Sequence, residues 1–230
     1  MSRPALRDVR AVLLDYGGTL DGDAAHWLDH FAALYRAAGV TLDPARFKDA
    51  FYGADAALEA HAAIRDLGFA PMVRTHVDLQ LAALGRTDPA FAARLAGAFI
   101  ADTRRAWDRN RPLLRRLAAR YRLGVVSNSY GNIPVVLAEA DLGPFAVVLD
   151  SALEGVRKPD PALYERAARR LDLAPSAILH VGDSWERDVV PARAAGMHAA
   201  WLAPPAVAPP AAPAGVWRLD SLLDLAELLA

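Results

Sequence analysis

The sequence predicts an α/β fold, a three-layer core around a mostly parallel sheet with an α-helical cap inserted after the first strand. Three observations predict it. Short apolar runs alternate with helix-period segments over the second half of the 230-residue chain, the pattern of strands joined by crossovers. Most of these runs end in polar residues: Asp15, Ser127 with Asn128, Asp150 and Asp183. Residues 22–104 break the alternation with helical periodicity and no strand-like run.

Each element follows from its local pattern. Arg10–Tyr16 (RAVLLDY) is too short for a free-standing helix and is stopped by Gly17-Gly18, so it reads as a buried strand. Four further runs read likewise: Leu123–Asn128, Phe145–Asp150, Ala177–Asp183 and His198–Leu202. Helices are expected at Arg111–Tyr121, Ile133–Ala140, Pro161–Leu171 and Glu186–Ala195. Within the insertion, His26–Ala38, Pro44–Leu67, Arg74–Leu84 and Pro89–Trp107 are amphipathic, with Gly and Pro as punctuation. The Pro/Ala-rich stretch Ala203–Gly215 reads as a surface connector, followed by a last short strand and a helix at Ser221–Leu229. The expected organisation is a core of residues 1–21 and 105–230 and a cap of residues 22–104.

Composition limits the function classes. With 26 basic and 27 acidic side chains and a net charge of −1, the chain is not built to hold nucleic acid by phosphate neutralisation. It has no cysteine, which excludes disulfides, thiolate metal sites and a cysteine nucleophile. No run of about 20 apolar residues can span a bilayer, and the first residues lack the apolar run of a signal peptide. The expected compartment is cytoplasmic, with no membrane partner, and the expected state is a monomer or homodimer.

Ligands in open α/β sheets bind beyond the carboxyl ends of the strands, which is where the polar residues gather. Asp15 and Asp183 close two strands, and Asp188 lies one helical turn further on in GDSWERD. Three carboxylates at one edge repel one another unless a cation joins them. Hard oxygen donors favour Mg²⁺. Lys158, one of two lysines among the 26 basic residues, falls near Ser127 and Asn128. A lysine and a hydroxyl beside a carboxylate–Mg²⁺ cluster suit a phosphoryl group.

Four stretches in order, Asp15–Leu20 (DYGGTL), Val125–Asn128 (VVSN), Lys158–Pro161 (KPDP) and His180–Asp188 (HVGDSWERD), resemble the motifs of the haloacid dehalogenase-like hydrolases, in the branch whose helical cap follows the first motif. The resemblance implies a Rossmann-like core and a small phosphorylated metabolite as substrate. It makes Asp15 the nucleophile that forms an aspartyl-phosphate, has Ser127 bind a phosphoryl oxygen, and sets Lys158 against the combined negative charge. It implies Mg²⁺ on Asp15, Asp183 and the backbone of Gly17, supported by Asp188, with Gly18, Thr19 and Asn128 at the substrate.

The chain departs from the family pattern at Gly17, where its phosphatases carry a second aspartate as general acid and base. Asp21, Asp23 and His26 are the candidate substitutes, or a group on the substrate itself. Dehalogenases of the family lack that aspartate too, but usually also lack the metal motif found here. A phosphonoacetaldehyde hydrolase-like reading would need a Schiff-base lysine in the cap, and Lys48 is the lysine there. A non-catalytic binding protein on the same fold is the remaining alternative within the family. Outside it stands a serine hydrolase, since Ser127–Gly131 is one residue from the G-x-S-x-G elbow, with Asp183 and His198 later in the chain.

Simpler roles stand beside these. Strand-end aspartates often brace turns, His180 reads as a hydrogen-bonded core histidine, and Trp27, Phe51, Tyr52 and Trp107 read as cap core. His26 and His30 have a metal-binding spacing but no third ligand nearby. Nothing in the sequence selects among cap residues such as His61, Arg65 and Arg74 as substrate contacts.

Overall fold

The computed structural model describes residues 6, 8–22, 24–203 and 214–230. Its centre is a six-stranded sheet of β1 (Ala11–Leu14), β2 (Arg122–Ser127), β3 (Val147–Asp150), β4 (Ile178–Gly182), β5 (His198–Leu202) and β6 (Val216–Leu219). The spatial order is β3-β2-β1-β4-β5-β6, and every neighbouring pair is parallel. Parallel strands need covered faces, and β1 accordingly is buried along its whole length. Two apolar clusters lie on the two sides of the sheet: Val12, Leu14 and Val125 belong to one, and Ala11, Leu13 and Val126 to the other. The alternation follows from the two-residue period of a strand.

Between β1 and β2 come four helices, α1 (Trp27–Ala37), α2 (Pro44–Glu59), α3 (Phe69–Ala83) and α4 (Pro89–Ala118). Asp-Pro pairs start two of them. Asp43 accepts the N–H of Arg46 at 2.8 Å, and Asp88 that of Phe91 at 2.9 Å, each with proline in the first turn. An aromatic centre joins the helices: Phe31 stacks on Phe99 at 4.2 Å, and Trp27 meets Phe99 edge-on at 4.9 Å.

The sequence pattern separates a helix ending at Trp107 from one beginning at Arg111. The structure has one 30-residue helix, α4, running through Pro112. Tertiary bonds hold the two residues just before the imino acid: Asn110 Nδ2 donates to Leu20 O at 3.0 Å, and Arg111 to Ala140 O at 2.8 Å. These override the local preference of proline. α4 thus belongs to both layers, packing on α3 and on β2.

The remaining helices are α5 (Ile133–Glu139), α6 (Ser151–Glu154), α7 (Ala162–Leu171), α8 (Val190–Ala194) and α9 (Leu225–Leu228). The expected helix at Glu186–Ala195 is divided into a wide turn over Trp185–Val189 and the short α8. Most of the expected Pro/Ala connector, residues 204–213, lies outside the described residues. No described helix is long and apolar enough to cross a membrane.

Packing at β2 is tight enough to test. A Cβ on Gly124 would sit 2.6 Å from Val147 Cγ2 and 2.7 Å from Leu13 Cδ2, whereas one on Gly97, exposed on α4, would meet nothing within 4 Å. Gly124→Ala is expected to lower stability by about 1–3 kcal/mol, and Gly97→Ala to raise it by about 0.5–1 kcal/mol. Urea midpoints at unchanged slope check both.

Candidate functional site

β1 runs between β2 and β4, with Leu14 opposite Val125 on one side and Val181 on the other. That register brings Asp15, Ser127 and Asp183 to one edge. The Asp15 N–H extends the ladder to Val181 O at 2.9 Å. The chain then enters a wide turn over Tyr16–Leu20, in which Gly18 has a φ of +75°. Glycine is required there twice over, because a Cβ would also lie 2.5 Å from Asp183 Oδ2. Gly182 plays the same part for the other acid: its Cβ would fall 2.2 Å from Asp188 Cγ.

Asp15, Asp183 and Asp188 each offer a carboxylate oxygen within 4.8 Å of the others. Lys158 bridges two of them, with Nζ at 2.9 Å from Asp15 Oδ1 and 2.6 Å from Asp188 Oδ1. Burial would draw the lysine pKa down, but the carboxylates of Asp15 and Asp188 outweigh it and hold the ammonium above its ordinary value. Burial would raise Asp188; Lys158 and His180 overcome this and hold it well below the carboxylate range. For Asp183, burial together with Asp15 and Asp188 outweighs the charges of Lys158 and Arg187 and pushes it well up.

A cation bound among the three carboxylates would relieve this repulsion. Three hard oxygen donors, with one uncompensated carboxylate, fit a divalent ion with oxygen preference. This is a physical fit of the donor set to such a metal.

Asp15, Gly17, Ser127, Asn128, Lys158 and Asp183 line one cavity of about 410 Å³. Its other wall is cap: His26, Trp27, Phe51, Tyr52, Asp55 and Glu59. Trp27 and Phe51 thus serve the cap core and the cavity together, while Trp107 stays inside, 4.9 Å from Phe69. Gly18 and Thr19, expected at the substrate, are buried beneath the turn and are not among the lining residues. Gly18 instead makes room for Asp183. Asn128 lines the cavity, but both ends of its amide are engaged: Nδ2 donates to Lys158 O at 2.9 Å, and Oδ1 accepts the Lys158 N–H at 2.8 Å. Its visible task is to hold the lysine loop.

The candidates for a proton shuttle fare differently. Asp21 is buried off the cavity and accepts from Gly18 N at 2.7 Å and from the Trp27 indole at 2.6 Å; burial raises its pKa to about 7. His26 does face the cavity. Its Nδ1 accepts the Leu28 N–H at 3.2 Å, so the neutral ring carries its proton on Nε2 and offers a donor, not a base. Burial and Arg187 lower its pKa and oppose the charged form. Asp23 lies outside the described residues. A Cβ on Gly17 would meet Trp27 at 3.9 Å, ordinary contact, so the position is open to a larger side chain.

Other expectations resolve locally. Asp150 is fully buried and takes N–H bonds from Gly131, Ile133 and Ala152, which makes it a brace. His30 pairs with Asp102 at 2.9 Å, not with His26. His180 donates to Asp188 at 3.1 Å, a link to the site that its apolar neighbours in sequence conceal. Lys48 is exposed on α2 and does not line the cavity. His198 packs on Trp217 at 5.5 Å and gives Ser129 no base. His61, Arg65 and Arg74 are exposed and absent from the cavity wall. Asp55, Tyr130, Arg157 and Arg187 line it and were not singled out by the sequence. The signal available for Asp55 was its place four residues after Phe51, on the same helix face.

Carboxyl groups with raised pKa, Asp21, Asp183 and the buried brace Asp150, give the metal-free protein a pH dependence. Asp21 moves from 3.8 to about 7, and Asp183 is raised as well. The folded state then binds more protons than the unfolded one between about pH 4 and 7, so stability is lost as pH rises through that window. In chelator the melting temperature is expected to fall by several degrees between pH 5 and 8. Asp183→Asn should reduce that fall, and should abolish any stabilisation that a divalent cation restores to the wild type at pH 8.

A family model for haloacid dehalogenase-like hydrolases matches residues 9–196. Haloacid dehalogenase-like hydrolase domain-containing protein 3 of Bos taurus is 36% identical over 109 residues, 47% of this chain and 43% of that one. A phosphoserine phosphatase of Thermus thermophilus is 41% identical over 58 residues, 25% of this chain and 23% of the relative. Each match spans less than half the length of these curated relatives. Among solved structures, the defluorinating L-2-haloacid dehalogenase Rha0230 is similar over 100% of this chain and 99% of its own, with a TM-score of 0.59 and 25% identity. By its matched sequence, its parallel core and the order of its motifs, this chain belongs to the haloacid dehalogenase-like hydrolases, a family of enzymes.

Proposed function

We propose that the protein is a Mg²⁺-dependent phosphohydrolase acting on a small phosphorylated metabolite in the cytoplasm, as a monomer or homodimer, with no nucleic-acid or membrane partner. The observation that carries this reading is the pairing of Asp15 with Lys158 at 2.9 Å inside an acidic cluster that needs a cation. Displacement of a halide by a carboxylate needs no divalent cation, so a cluster suited to one favours phosphoryl chemistry. The phosphoserine phosphatase relative supports the phosphoryl reading.

Asp15, Asp183 and Asp188, with the main-chain carbonyl of Gly17, would hold Mg²⁺, which when bound lessens the repulsion between an anionic substrate and the carboxylates. Asp15 attacks phosphorus, the bond to the leaving oxygen breaks, and an aspartyl-phosphate forms. Water then attacks that phosphorus, freeing inorganic phosphate and restoring the carboxylate. Lys158 offsets charge on Asp15 and on the transferred group, and Ser127 donates to a phosphoryl oxygen. The cap wall limits bulk water at the reacting atoms.

Gly17 leaves the departing alkoxide without a proton donor. Acyl and aryl phosphates, whose leaving groups need none, should therefore turn over much faster than alkyl phosphates. Phosphate release from acetyl, 4-nitrophenyl and ethyl phosphate tests this, with 2-chloropropionate as the dehalogenation control. Release should vanish in Asp15→Asn and in chelator. Gly17→Asp, which the space beside Trp27 accommodates, should raise ethyl phosphate turnover by about 10²–10⁴-fold. Chloride release without phosphate release would overturn the reading.

A further inference from the structure

The cap side of the cavity carries a carboxylate that the reaction at Asp15 does not use. Asp55, on α2, is held from behind by buried groups. Its Oδ1 lies 2.9 Å from Nε2 of His76, which is fully buried, and also accepts the hydroxyl of Tyr130. His76 is fixed in turn by the Gln80 amide at 2.6 Å from Nδ1. With that amide donating, the imidazole is the neutral tautomer and gives its Nε2 proton to Asp55. Tyr130 follows the Ser127–Ser129 loop, so one oxygen of Asp55 ties cap to core.

The other oxygen is different. Asp55 lines the cavity with its side chain 28% exposed, and Oδ2 has no hydrogen-bond partner among the described residues. The cations around it are engaged elsewhere. Lys158 is bound to Asp15 and Asp188, Arg157 lies 3.6 Å from Glu59, and Arg187 donates to Ser184. Asn132, buried in the same wall, donates to Leu67 O at 3.0 Å. Aromatic side chains at Phe51, Tyr52 and Tyr130 share this wall. An oriented carboxylate among aromatic groups suits a cationic donor.

We propose that Asp55 Oδ2 receives an ammonium group on the leaving portion of the substrate, so that the enzyme selects phosphate monoesters of small amino alcohols over their alkyl counterparts. The inference rests on the phosphohydrolase reading of the same cavity and adds the chemistry at its far wall. Asp55 here is a binding residue for the leaving group, not a participant at phosphorus. The neutral His76 and the Tyr130 hydroxyl set its direction without cancelling its charge.

The test is calorimetric binding to the Mg²⁺-loaded wild type of three phosphonates that cannot be hydrolysed: 3-aminopropyl-, 3-hydroxypropyl- and propylphosphonate. The amine is expected to bind at least about tenfold more tightly than the alkyl compound, the effect of one well-placed charge-assisted hydrogen bond. Asp55→Asn keeps an acceptor for His76 and Tyr130 but turns an amide N–H₂ towards the cavity, and should bring the ratio close to one. Asp55→Ser serves the same comparison if the asparagine variant does not fold. A wild-type ratio below about twofold, or a preference intact in the Asp55 variants, would overturn the proposal. Equal binding of the hydroxyl compound would overturn the ammonium assignment in favour of an uncharged donor. Absence of phosphate release with the amine preference intact would sink the hydrolytic reading alone.

Discussion

Three carboxylates and one lysine at the carboxyl edge of β1 and β4 set the terms for much of this structure. Like charges packed this closely destabilise a fold unless hydrogen bonds, a counter-charge or a cation answer them. Lys158 answers Asp15 and Asp188; His180 and the Ser184 N–H add to Asp188. Glycine at 18 and 182 is a consequence of the same crowding, since a methyl group at either would displace a carboxylate. The Asn128 amide, locked on both sides to the Lys158 main chain, keeps the counter-charge in place. The apolar strands beneath supply the rigidity that holds these groups together.

The groups around Gly17 are committed to other partners. The Trp27 indole, beside the space a larger side chain at Gly17 would take, donates to Asp21, which is buried beneath it. His26 is committed to capping α1 and presents a donor. Neither nearby group is arranged to carry a proton both ways. On the phosphohydrolase reading proposed above, protonation of the departing oxygen is left to the substrate's own chemistry.

Much of this was legible in the sequence because the core depends on local signals. Apolar runs of strand length, stopped by Gly17-Gly18 or by Asp183, located the strands and the residues at their ends. The Asp-Pro pairs at 43–44 and 88–89 marked helix starts for the same reason: a side-chain cap and a missing N–H are local facts. The continuity of α4 through Pro112 was not legible, since it rests on Asn110 and Arg111 reaching Leu20 and Ala140, contacts made across the fold. The cap wall was equally hidden. Asp55 sits in an ordinary amphipathic helix, and its place in the cavity depends on His76 and Tyr130, 21 and 75 residues away. Gly18 and Thr19 follow Asp15 in the chain, but the turn folds them away from the cavity wall, a placement that chain adjacency does not reveal.

The unbroken α4 also has a mechanical meaning. From Pro112 to Pro89 the helix extends for about 35 Å at 1.5 Å per residue. Its core end is clamped by Asn110 and Arg111, while its far half carries the Phe99 aromatic cluster and packs against α3. A beam of this length would magnify any small change of angle at the imino acid, where proline removes one backbone hydrogen bond. A pivot of about 10° there would carry the distal end through about 6 Å, enough to admit or release a small molecule while every cap helix keeps its own packing. One stiff element spanning both layers would thus turn a local bend into a displacement of the whole cap wall.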